Sequence, residues 1–317
     1  MDIAPFIKRV ARGKHGAEHL SRAEAESVFS SLLAPDAEPL QLGAFLIAQR
    51  MKGESSAELA GFIEAARARI AGYGALNAPA GAVDLPCYAG KRRAAHAHLA
   101  AAIEARDHGT PLFIHGVDHI DGRVTAWQVL QQTSVRRASS LSEAMTILQG
   151  EHIVYADLAD LCPDLYRIYM LRPKLGVRSF SNTVARLLNP ARCDGQLNGF
   201  FHTPYAEYMA TANRLLGQPR SLIFMGAEGE PELYADRQKV ILKQQDDSVR
   251  RVSYPPAGVG AYPRSAADLS MLQDDFAAML AGRVDRRQRA VIARMREAFN
   301  WAGSGEFSAT WIEETIS

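Results

Sequence analysis

The sequence has few cysteines and no long apolar segment. Cysteine occurs three times in 317 residues, and Cys87, Cys162 and Cys193 are far apart without a CxxC spacing, so neither a disulfide framework nor a structural zinc site is expected. No apolar run reaches the roughly 18 residues of a membrane-spanning helix. The first nine residues lack the basic-then-apolar plan of a signal peptide. We therefore expect a cytoplasmic protein without membrane association.

Acidic residues are absent between Asp164 and Asp194, although the whole chain is nearly neutral, with a formal net charge of +1. The charged residues inside this interval are all basic: Arg167, Arg172, Lys174, Arg178, Arg186 and Arg192. The compensating acids are expected elsewhere, as at Glu228, Glu230, Glu232 and Asp236. Such an asymmetry favours one surface that attracts a polyanion.

Hydrophobic periodicity predicts an N-terminal helical domain over residues 1–76. Ser21 can cap a helix that has Glu24 at the capping-box position, and two further apolar helical patterns follow it. The proline- and glycine-containing stretch 77–81 indicates a linker. A larger domain is predicted over residues 80–317.

In this larger domain, short β-type runs alternate with helical patterns. Strands are predicted at 111–116, 153–155 and 221–226, a hairpin or edge strands at 240–252, and helices at 94–105, 125–131, 141–148 and 205–216. A final helix is predicted from about residue 266 to 301, with a break near Gly282. Strands separated by helices are typical of an α/β fold with a mainly parallel central sheet flanked by helices.

The segment from Asp84 to Arg93 has an unusual composition for a loop at this place. It contains one glycine and three adjacent cations, Lys91, Arg92 and Arg93, just before a predicted helix. Cations at a helix N-terminus oppose the helix dipole, at a cost of a few tenths of a kcal/mol each. An anion bound there would reverse that cost, so the three cations are predicted to contact phosphate.

Three stretches resemble the anthranilate phosphoribosyltransferase family, which belongs to glycosyltransferase family 3 and has the nucleoside phosphorylase class II fold. Residues 43–54 and 58–61 are similar to its GAFLMALRMKGE…ELAG run, residues 171–182 and 188–191 to its RxxLGxRTxFN…NPA hinge, and residues 199–202 and 225–226 form the third match. The resemblance implies a helical domain joined in space by the hinge segment 165–192, plus a phosphoribosyltransferase-type α/β domain.

The family's catalytic motifs are not kept. Its GTGGD loop wraps the diphosphate of phosphoribosyl pyrophosphate, where backbone amides must approach phosphate closely, and this chain keeps only Gly90. The NxST motif aligns with residues 96–99 and the KHGNR turn with 114–118, while the magnesium-binding DE pair aligns with Pro231-Glu232, which retains one carboxylate. These losses predict that the parent reaction is absent, and we expect no catalytic residue, cofactor or metal ion.

The sequence retains the family's scaffold segments, lacks its glycine-rich phosphate loop and has additional cations. In this combination it resembles the YbiB-type branch of the family, whose members are regarded as dimeric nucleic-acid-binding proteins. Arg172 matches the family arginine that contacts the anthranilate carboxylate. The resemblance implies a basic groove along a DNA or RNA backbone and a homodimer formed through the helical domain. We therefore predict largely sequence-independent nucleic-acid binding. The predicted contacts are Lys91, Arg92, Arg93, Arg167, Arg172, Lys174, Arg178, Arg186 and Arg192.

Two alternatives remain open from the sequence. The first is a phosphoribosyltransferase with a remodelled donor site and an unknown aromatic acceptor. The second is a binding or scaffolding protein whose basic groove holds a small anion or a protein partner. The arginine-rich run from Arg283 to Arg296 is interpreted as the solvent-exposed face of an amphipathic helix. The alternative interpretation is a second surface that contacts a polyanion.

Several smaller features complete the sequence-based expectations. His96 and His98 are two positions apart and would point to different faces of a helix, which disfavours a metal site. Aromatic residues near the hinge cations, Tyr166, Tyr169 and Phe180, are expected mainly in the core, with base stacking as the alternative. The cations beside Cys87 would lower the pKa of its thiol if that thiol were exposed.

Overall fold

The computed structural model describes residues 1–13, 15–200, 205–239, 241–306 and 310–314. Its helices are α1 (Ala4–Val10), α2 (Arg22–Leu33), α3 (Pro39–Lys52), α4 (Ser56–Arg67), α5 (Ala97–Asp107), α6 (Ala126–Leu130), α7 (Leu141–Glu151), α8 (Leu158–Leu161), α9 (Pro163–Tyr169), α10 (Arg172–Leu175), α11 (Ser181–Arg186), α12 (Tyr205–Leu215), α13 (Leu269–Leu280) and α14 (Arg286–Ser304). Its strands are β1 (Val83–Cys87), β2 (Leu112–Gly116), β3 (Arg137–Ala138), β4 (Ile153–Asp157), β5 (Gly195–Phe200), β6 (Arg220–Met225), β7 (Ile241–Gln245), β8 (Ser248–Ser253) and β9 (Ile312–Glu314).

The N-terminal helices form the helical domain that the sequence predicts. The capping box at Ser21 and Glu24 is present at the start of α2, where each residue bonds the backbone amide of the other. This reciprocal pairing satisfies amides that would otherwise lack a partner. Phe29, Phe45 and Phe62 are fully buried among these helices, and the ring of Phe62 meets those of Phe29 and Phe45 edge to face.

The larger domain is built on a mixed sheet with strand order β3-β4-β2-β1-β5-β6-β7-β8-β9. The strands from β3 to β6 in this order pair in parallel, and β7, β8 and β9 extend the sheet in antiparallel fashion. Helices pack on both faces of the sheet. The predicted α/β class with a mainly parallel sheet is confirmed.

Four strands, β1, β3, β5 and β9, are absent from the sequence-based prediction. β1 covers Val83–Cys87, so the prediction that the segment from Asp84 to Arg93 is one loop is wrong for its first residues. Pro86 pairs in register with His115 in the middle of the sheet, a place where proline is rare because it donates no ladder hydrogen bond. β5 was not predicted, since its glycines and buried amide side chains hide the strand pattern.

The remaining local predictions agree with the structure. The predicted hairpin forms from β7 and β8, and the final helix is broken around Gly282 into α13 and α14. Val240, Phe201 and His202, which belonged to predicted or matched segments, lie outside the described residues. Among the residues that are described, no helix has the length and apolarity needed to cross a membrane.

The hinge segment between β4 and β5 packs against the helical domain. Phe180 stacks on Phe62 with ring centroids 4.2 Å apart and also touches the rings of Phe29 and Phe45. The hinge and the carboxyl ends of the parallel strands therefore border one cleft between the two parts of the molecule. Open parallel sheets commonly bind ligands at this edge.

Candidate anion-binding cleft

The first amides after β1 bond to a carboxylate of the same chain. Glu230, in the turn after β6, is fully buried, and its Oε1 accepts hydrogen bonds from the amides of Ala89, at 3.0 Å, and Gly90. Gly90 has a φ of +62°, and a Cβ there would lie 2.9 Å from the Cβ of Arg123. Converging amides of this kind form an anion-binding nest, and here the bound anion is a glutamate side chain.

The next two amides are also occupied. Glu228 accepts hydrogen bonds from the amides of Arg92 and Arg93, both at 3.0 Å, and from the hydroxyl of Tyr262 at 2.9 Å. Glu228 has a φ of +59°, a strained value for a residue with a side chain, which these bonds hold in place. Glu228 and Glu230 therefore pack directly against the segment after β1, because the turn after β6 folds over the end of that strand.

Lys91 is fully buried and does not face a ligand. Its Nζ lies 2.5 Å from Glu232 Oε1 and donates to the Ala95 carbonyl at 2.8 Å. Burial alone would raise the pKa of Glu232, but Lys91 and His98 outweigh burial and lower it to about 2. The prediction that Lys91 contacts phosphate is thus corrected: its charge is used within the fold. Arg92 is exposed and Arg93 half-buried, with side chains outside this pair.

Two strand residues beside this segment, Cys87 in β1 and His115 in β2, lie in the interior. Cys87 is fully buried, and burial, followed by the nearby Glu230 carboxylate, raises the pKa of its thiol well above the usual range. The expected lowering by adjacent cations does not occur, because the thiol is not exposed. His115 is buried in β2, where its ring contacts the Tyr88 hydroxyl at 2.7 Å and Asp84 at 3.1 Å.

Two hinge cations donate hydrogen bonds to backbone carbonyls. Arg167 Nη2 donates to the carbonyls of Leu32, Leu33 and Ala34 at 3.0 to 3.2 Å and so caps the end of α2. Arg186 is half-buried, and its Nη1 donates to two carbonyls, those of Gly199 at 3.2 Å and Gly229 at 2.9 Å. Arg167 is removed from the set of predicted ligand contacts, since its guanidinium donates hydrogen bonds to these backbone oxygens.

Arg192 lies at the opposite edge of the sheet. It is exposed and lies three residues before the start of β5, so it stands at the amino end of the parallel strands rather than at the carboxyl end. It borders a different cavity, together with Arg67 and Asp194. The acid-free interval 165–193 is therefore not one continuous basic track, and Arg192 does not join the others.

The remaining hinge cations are open to solvent. Arg172, Lys174 and Arg178 are exposed, and within the described residues none of them forms an ion pair. Arg172 and Arg178 line a cavity of about 470 Å³ at the end of β1, together with Tyr88 and Tyr169. Lys174 is on the same short helix as Arg172 but does not line that cavity.

Electrostatic repulsion acts between several arginines at this cleft. The pKa of Arg178 is lowered by partial burial and by the positive charges of Arg172, Arg186 and Arg123. The pKa of Arg123 is lowered by partial burial and by Arg92 and Arg172, although Glu228 acts in the opposite direction. We call these five residues, Arg92, Arg123, Arg172, Arg178 and Arg186, the cleft arginines. A bound anion would relieve their repulsion.

Arg123 is a cleft residue that the sequence analysis missed. Its Nη1 donates to the Gly90 carbonyl at 2.9 Å and lies 3.9 Å from Glu228. An isolated antiparallel bridge between Lys91 and Val124 brings it to the cleft. No local pattern around residue 123 signals this pairing, which joins segments more than 30 residues apart.

Of the three hinge aromatics, one can face a ligand. Phe180 is in the core of the helical domain, and Tyr166 packs partly buried against the same cluster. Tyr169 lines the cavity bordered by Arg172 and Arg178 and donates its hydroxyl to the Tyr88 carbonyl at 3.0 Å. Only Tyr169 is thus placed beside the open cations.

The C-terminal arginines from Arg286 onward are on a separate helix, α14, which packs on α5, and Arg283 lies just before it. Val291, Ile292 and Met295 are buried, as the amphipathic pattern predicts. Arg294 donates to the Tyr234 carbonyl at 2.6 Å and covers the ring of Tyr254 at 3.8 Å. Arg283, Arg286 and Arg289 are exposed, in agreement with a basic face in water.

Comparison with known proteins gives consistent matches. Residues 4–70 match the helical bundle domain of the glycosyl transferase family. The protein YbiB of Escherichia coli strain K12 is 30% identical over 244 residues, which cover 75% of this chain and 74% of YbiB. An anthranilate phosphoribosyltransferase of Beijerinckia indica is 29% identical over 267 residues, which cover 84% of this chain and 76% of that protein.

A solved structure shares the fold. The crystal structure of anthranilate phosphoribosyltransferase from Thermus thermophilus superimposes with a TM-score of 0.73 and covers 95% of this chain and 89% of that one. The two sequences are 22% identical, so the likeness concerns the architecture alone. The helical domain and the α/β domain of this chain occur together in that architecture.

Proposed function

This chain belongs to the glycosyltransferase family that includes the anthranilate phosphoribosyltransferases and YbiB, and from this we propose that it binds nucleic acid instead of transferring a phosphoribosyl group. One observation carries the proposal. The amides that could hold a diphosphate are filled by the chain's own glutamates, whereas a group of arginines beside them stays open. The site favours a long phosphate chain lying along the cleft over one diphosphate enclosed in the loop.

Filled amides disfavour phosphoribosyl transfer. An incoming diphosphate would have to displace Glu228 and Glu230, and each charge-assisted hydrogen bond lost would cost about 1.5–3 kcal/mol. The displaced carboxylates would remain beside the diphosphate and repel it. Family enzymes are expected to supply several hydrogen-bond donors here, and this chain supplies acceptors.

The carboxylates also do not fit a magnesium–diphosphate complex. Both oxygens of Glu228 accept protein hydrogen bonds, and both oxygens of Glu232 contact Lys91 or His98. Mg²⁺ demands near-octahedral oxygen ligands, usually one or two carboxylates completed by water and substrate phosphates. Only Glu230 Oε2 among these oxygens lacks a partner, so the site does not offer the carboxylate ligands that a magnesium–diphosphate complex needs.

The cleft arginines suit a phosphate backbone. A guanidinium can bind phosphate through two parallel hydrogen bonds and is charged at all physiological pH values. Tyr169 beside Arg172 and Arg178 offers a ring on which a base of a single strand can stack. Contacts of this kind position a strand without reading its bases, so binding is largely independent of sequence.

A phosphoribosyltransferase with a remodelled donor site is the second candidate, and one observation favours it. The cavity at Arg172 has room for an aromatic acid, at about 470 Å³, and Arg172 is the residue that would pair with its carboxylate. Such an enzyme would need a new phosphate site, because the loop after β1 is filled. A protein that holds a single small anion is the third.

Oligonucleotide length separates the three candidates. We expect fluorescence anisotropy to show affinity rising as single strands lengthen from about 5 to 20 nucleotides, since longer strands reach more arginines. A mononucleotide or phosphoribosyl pyrophosphate should compete weakly. Tight mononucleotide binding without a gain on longer strands would support the small-anion candidate, and turnover of phosphoribosyl pyrophosphate with an aromatic acid would support the enzyme.

We further propose that the chain forms a homodimer through its helical domain. Leu40, Ile47 and Met51 lie on one face of α3 and are exposed by 79%, 37% and 81%. Residues at this helical spacing form a continuous apolar stripe, and such stripes mark association surfaces. A two-fold dimer would present two clefts to one polyanion and increase its avidity.

The substitution Met51→Asp should convert the dimer to a monomer, because it places a charge in the apolar stripe of the proposed interface. Light scattering coupled to gel filtration would report the halved mass. Met271→Asp on α13, at another exposed methionine, should leave the mass unchanged. A wild-type chain that is already monomeric at micromolar concentration would refute the proposal.

A further inference from the structure

Three side chains of different chemistry converge beneath the segment that follows β1. Cys87 at the end of β1, His98 in the first turn of α5 and Glu230 after β6 are all fully buried. The Cys87 Sγ, a ring nitrogen of His98 and a carboxylate oxygen of Glu230 lie within 4.8 Å of one another, and Cys87 Sγ is 3.7 Å from His98 Nε2. The spacing of His98 from His96 disfavours a metal site, but the fold brings His98 to two donors that are distant from it in the sequence.

The partners of His98 orient it towards the cysteine. Its Nδ1 lies 3.1 Å from Glu232 Oε2, and a carboxylate can only accept, so the ring proton is assigned to Nδ1. The Nε2 lone pair then points towards Cys87. A carboxylate behind the far nitrogen of a histidine is the arrangement that commonly supports a metal-bound imidazole. Lys91 fixes Glu232 in turn.

Glu230 carries an oxygen that the fold does not use. Its Oε1 accepts the amides of Ala89 and Gly90, whereas its Oε2 is buried and has no hydrogen-bond partner. A buried carboxylate oxygen without a donor is costly, and it calls for a ligand. The hydrogen bonds at Oε1 hold the carboxylate next to Cys87.

We propose that Cys87, His98 and Glu230 bind one zinc-class divalent cation. Sulfur, nitrogen and oxygen donors together suit Zn²⁺, whereas Mg²⁺ and Ca²⁺ select oxygen donors. Zinc bonds of about 2.3 Å to sulfur and about 2.0–2.1 Å to nitrogen, at a tetrahedral angle, separate these two atoms by about 3.6 Å. The observed separation of Cys87 Sγ and His98 Nε2 is 3.7 Å.

The charges balance when the cation binds. The Cys87 thiol loses its proton to solvent and forms the sulfur–metal bond, so thiolate and Glu230 carboxylate neutralise the two positive charges. A neutral buried cluster avoids the desolvation penalty of an unpaired ion. His96 is a fourth donor at hand: its buried ring lies 5.5 Å from that of His98, centroid to centroid, and neither of its nitrogens has a hydrogen-bond partner.

The cation would link three elements that meet at the segment following β1. β1, α5 and the turn after β6 each supply one donor, and Glu230 is also the residue that fills the first amides of the loop. Metal binding therefore locks the loop in its filled state, independently of whether the cleft arginines bind nucleic acid.

Cobalt spectroscopy on the full-length chain tests the site directly. After removal of metals with a chelator, one equivalent of Co²⁺ should produce a thiolate-to-cobalt charge-transfer band and the intense visible bands of tetrahedral cobalt. Zn²⁺ should abolish both and bind with one-to-one stoichiometry in calorimetry. No charge-transfer band in the unmodified protein would overturn the proposal, whatever the variants do.

Matched cysteine variants assign the sulfur. Cys87→Ser should lose the band and weaken zinc binding by more than about 100-fold, whereas Cys162→Ser, at another buried free cysteine, should keep both. Glu230→Gln serves as a second ligand variant should Cys87→Ser fail to fold, and it should weaken zinc binding at least about tenfold. A band that persists in Cys87→Ser, or unchanged zinc affinity in Glu230→Gln, would contradict the assignment.

Discussion

Replacing Lys91 with methionine should lower the free energy of unfolding by about 3–5 kcal/mol, because the buried Glu232 carboxylate loses its ammonium partner and keeps only its contacts with His98. Lys91 is fully buried and its ammonium contacts Glu232 at 2.5 Å. Methionine has a similar length, so packing is largely kept and the loss reflects the charge. Urea denaturation followed by circular dichroism measures the effect.

The matched control restores the charge balance. Lys91→Met combined with Glu232→Gln should recover part of the lost stability, since no unpaired charge then remains. If the single and double variants were equally unstable, the loss would be due to packing and the ion pair would not be its cause.

The same pair makes the protein sensitive to acid. The pKa of Glu232 is lowered to about 2 in the folded state, below its value in an unfolded chain, so its stabilising contribution is complete above about pH 4.5 and is lost as the pH falls towards 2. A tenfold difference in proton affinity between the folded and unfolded states is worth about 1.4 kcal/mol, so this contribution amounts to roughly 3 kcal/mol. Glu232→Gln should remove that part of the acid dependence.

The double substitution Arg172→Gln/Arg178→Gln should weaken binding to a single strand on the order of 25-fold at about 0.1 M salt. Each phosphate contact releases about 0.7 counterions from a single strand, which is worth roughly fivefold at this salt concentration. Both side chains are exposed and form no ion pair within the described part of the chain, so the fold should be unaffected. Fluorescence anisotropy gives the ratio of dissociation constants.

A control with the same change in charge is available at the other edge of the sheet. Arg192 and Arg214 are also exposed. The double substitution Arg192→Gln/Arg214→Gln should change affinity for the single strand less than about twofold, because salt at this concentration screens the interaction between exposed charges beyond about 10 Å. Equal losses in the two double variants would mean that net charge, and not the cleft, determines binding.

Local features of the fold could be read from the sequence. The capping box at Ser21 and the hairpin of β7 and β8 depend on residues that are near one another in the chain. The strand β1 could not be read, because Pro86 and Asp84 suppress the strand pattern although the whole segment is buried. Its conformation is imposed by the strands on either side.

The candidate site depended on contacts that sequence spacing does not reveal. Lys91 and Arg92 are adjacent and alike in charge, yet one is buried and the other exposed, because the bridge to Val124 turns successive side chains in opposite directions. Glu230, which fills the amide of Gly90, is 140 residues further along the chain. The cations could thus be identified from the sequence. Which of them remain exposed and available to a ligand could not be predicted from it.

The salt dependence of single-strand binding tests the central claim most directly. If all five cleft arginines contact phosphates, a plot of the logarithm of the association constant against the logarithm of salt concentration should fall with a slope of about −3.5. In Arg172→Gln/Arg178→Gln the slope should flatten to about −2. Binding that is flat in salt, or an unchanged slope in the double variant, would contradict a phosphate backbone held by the cleft.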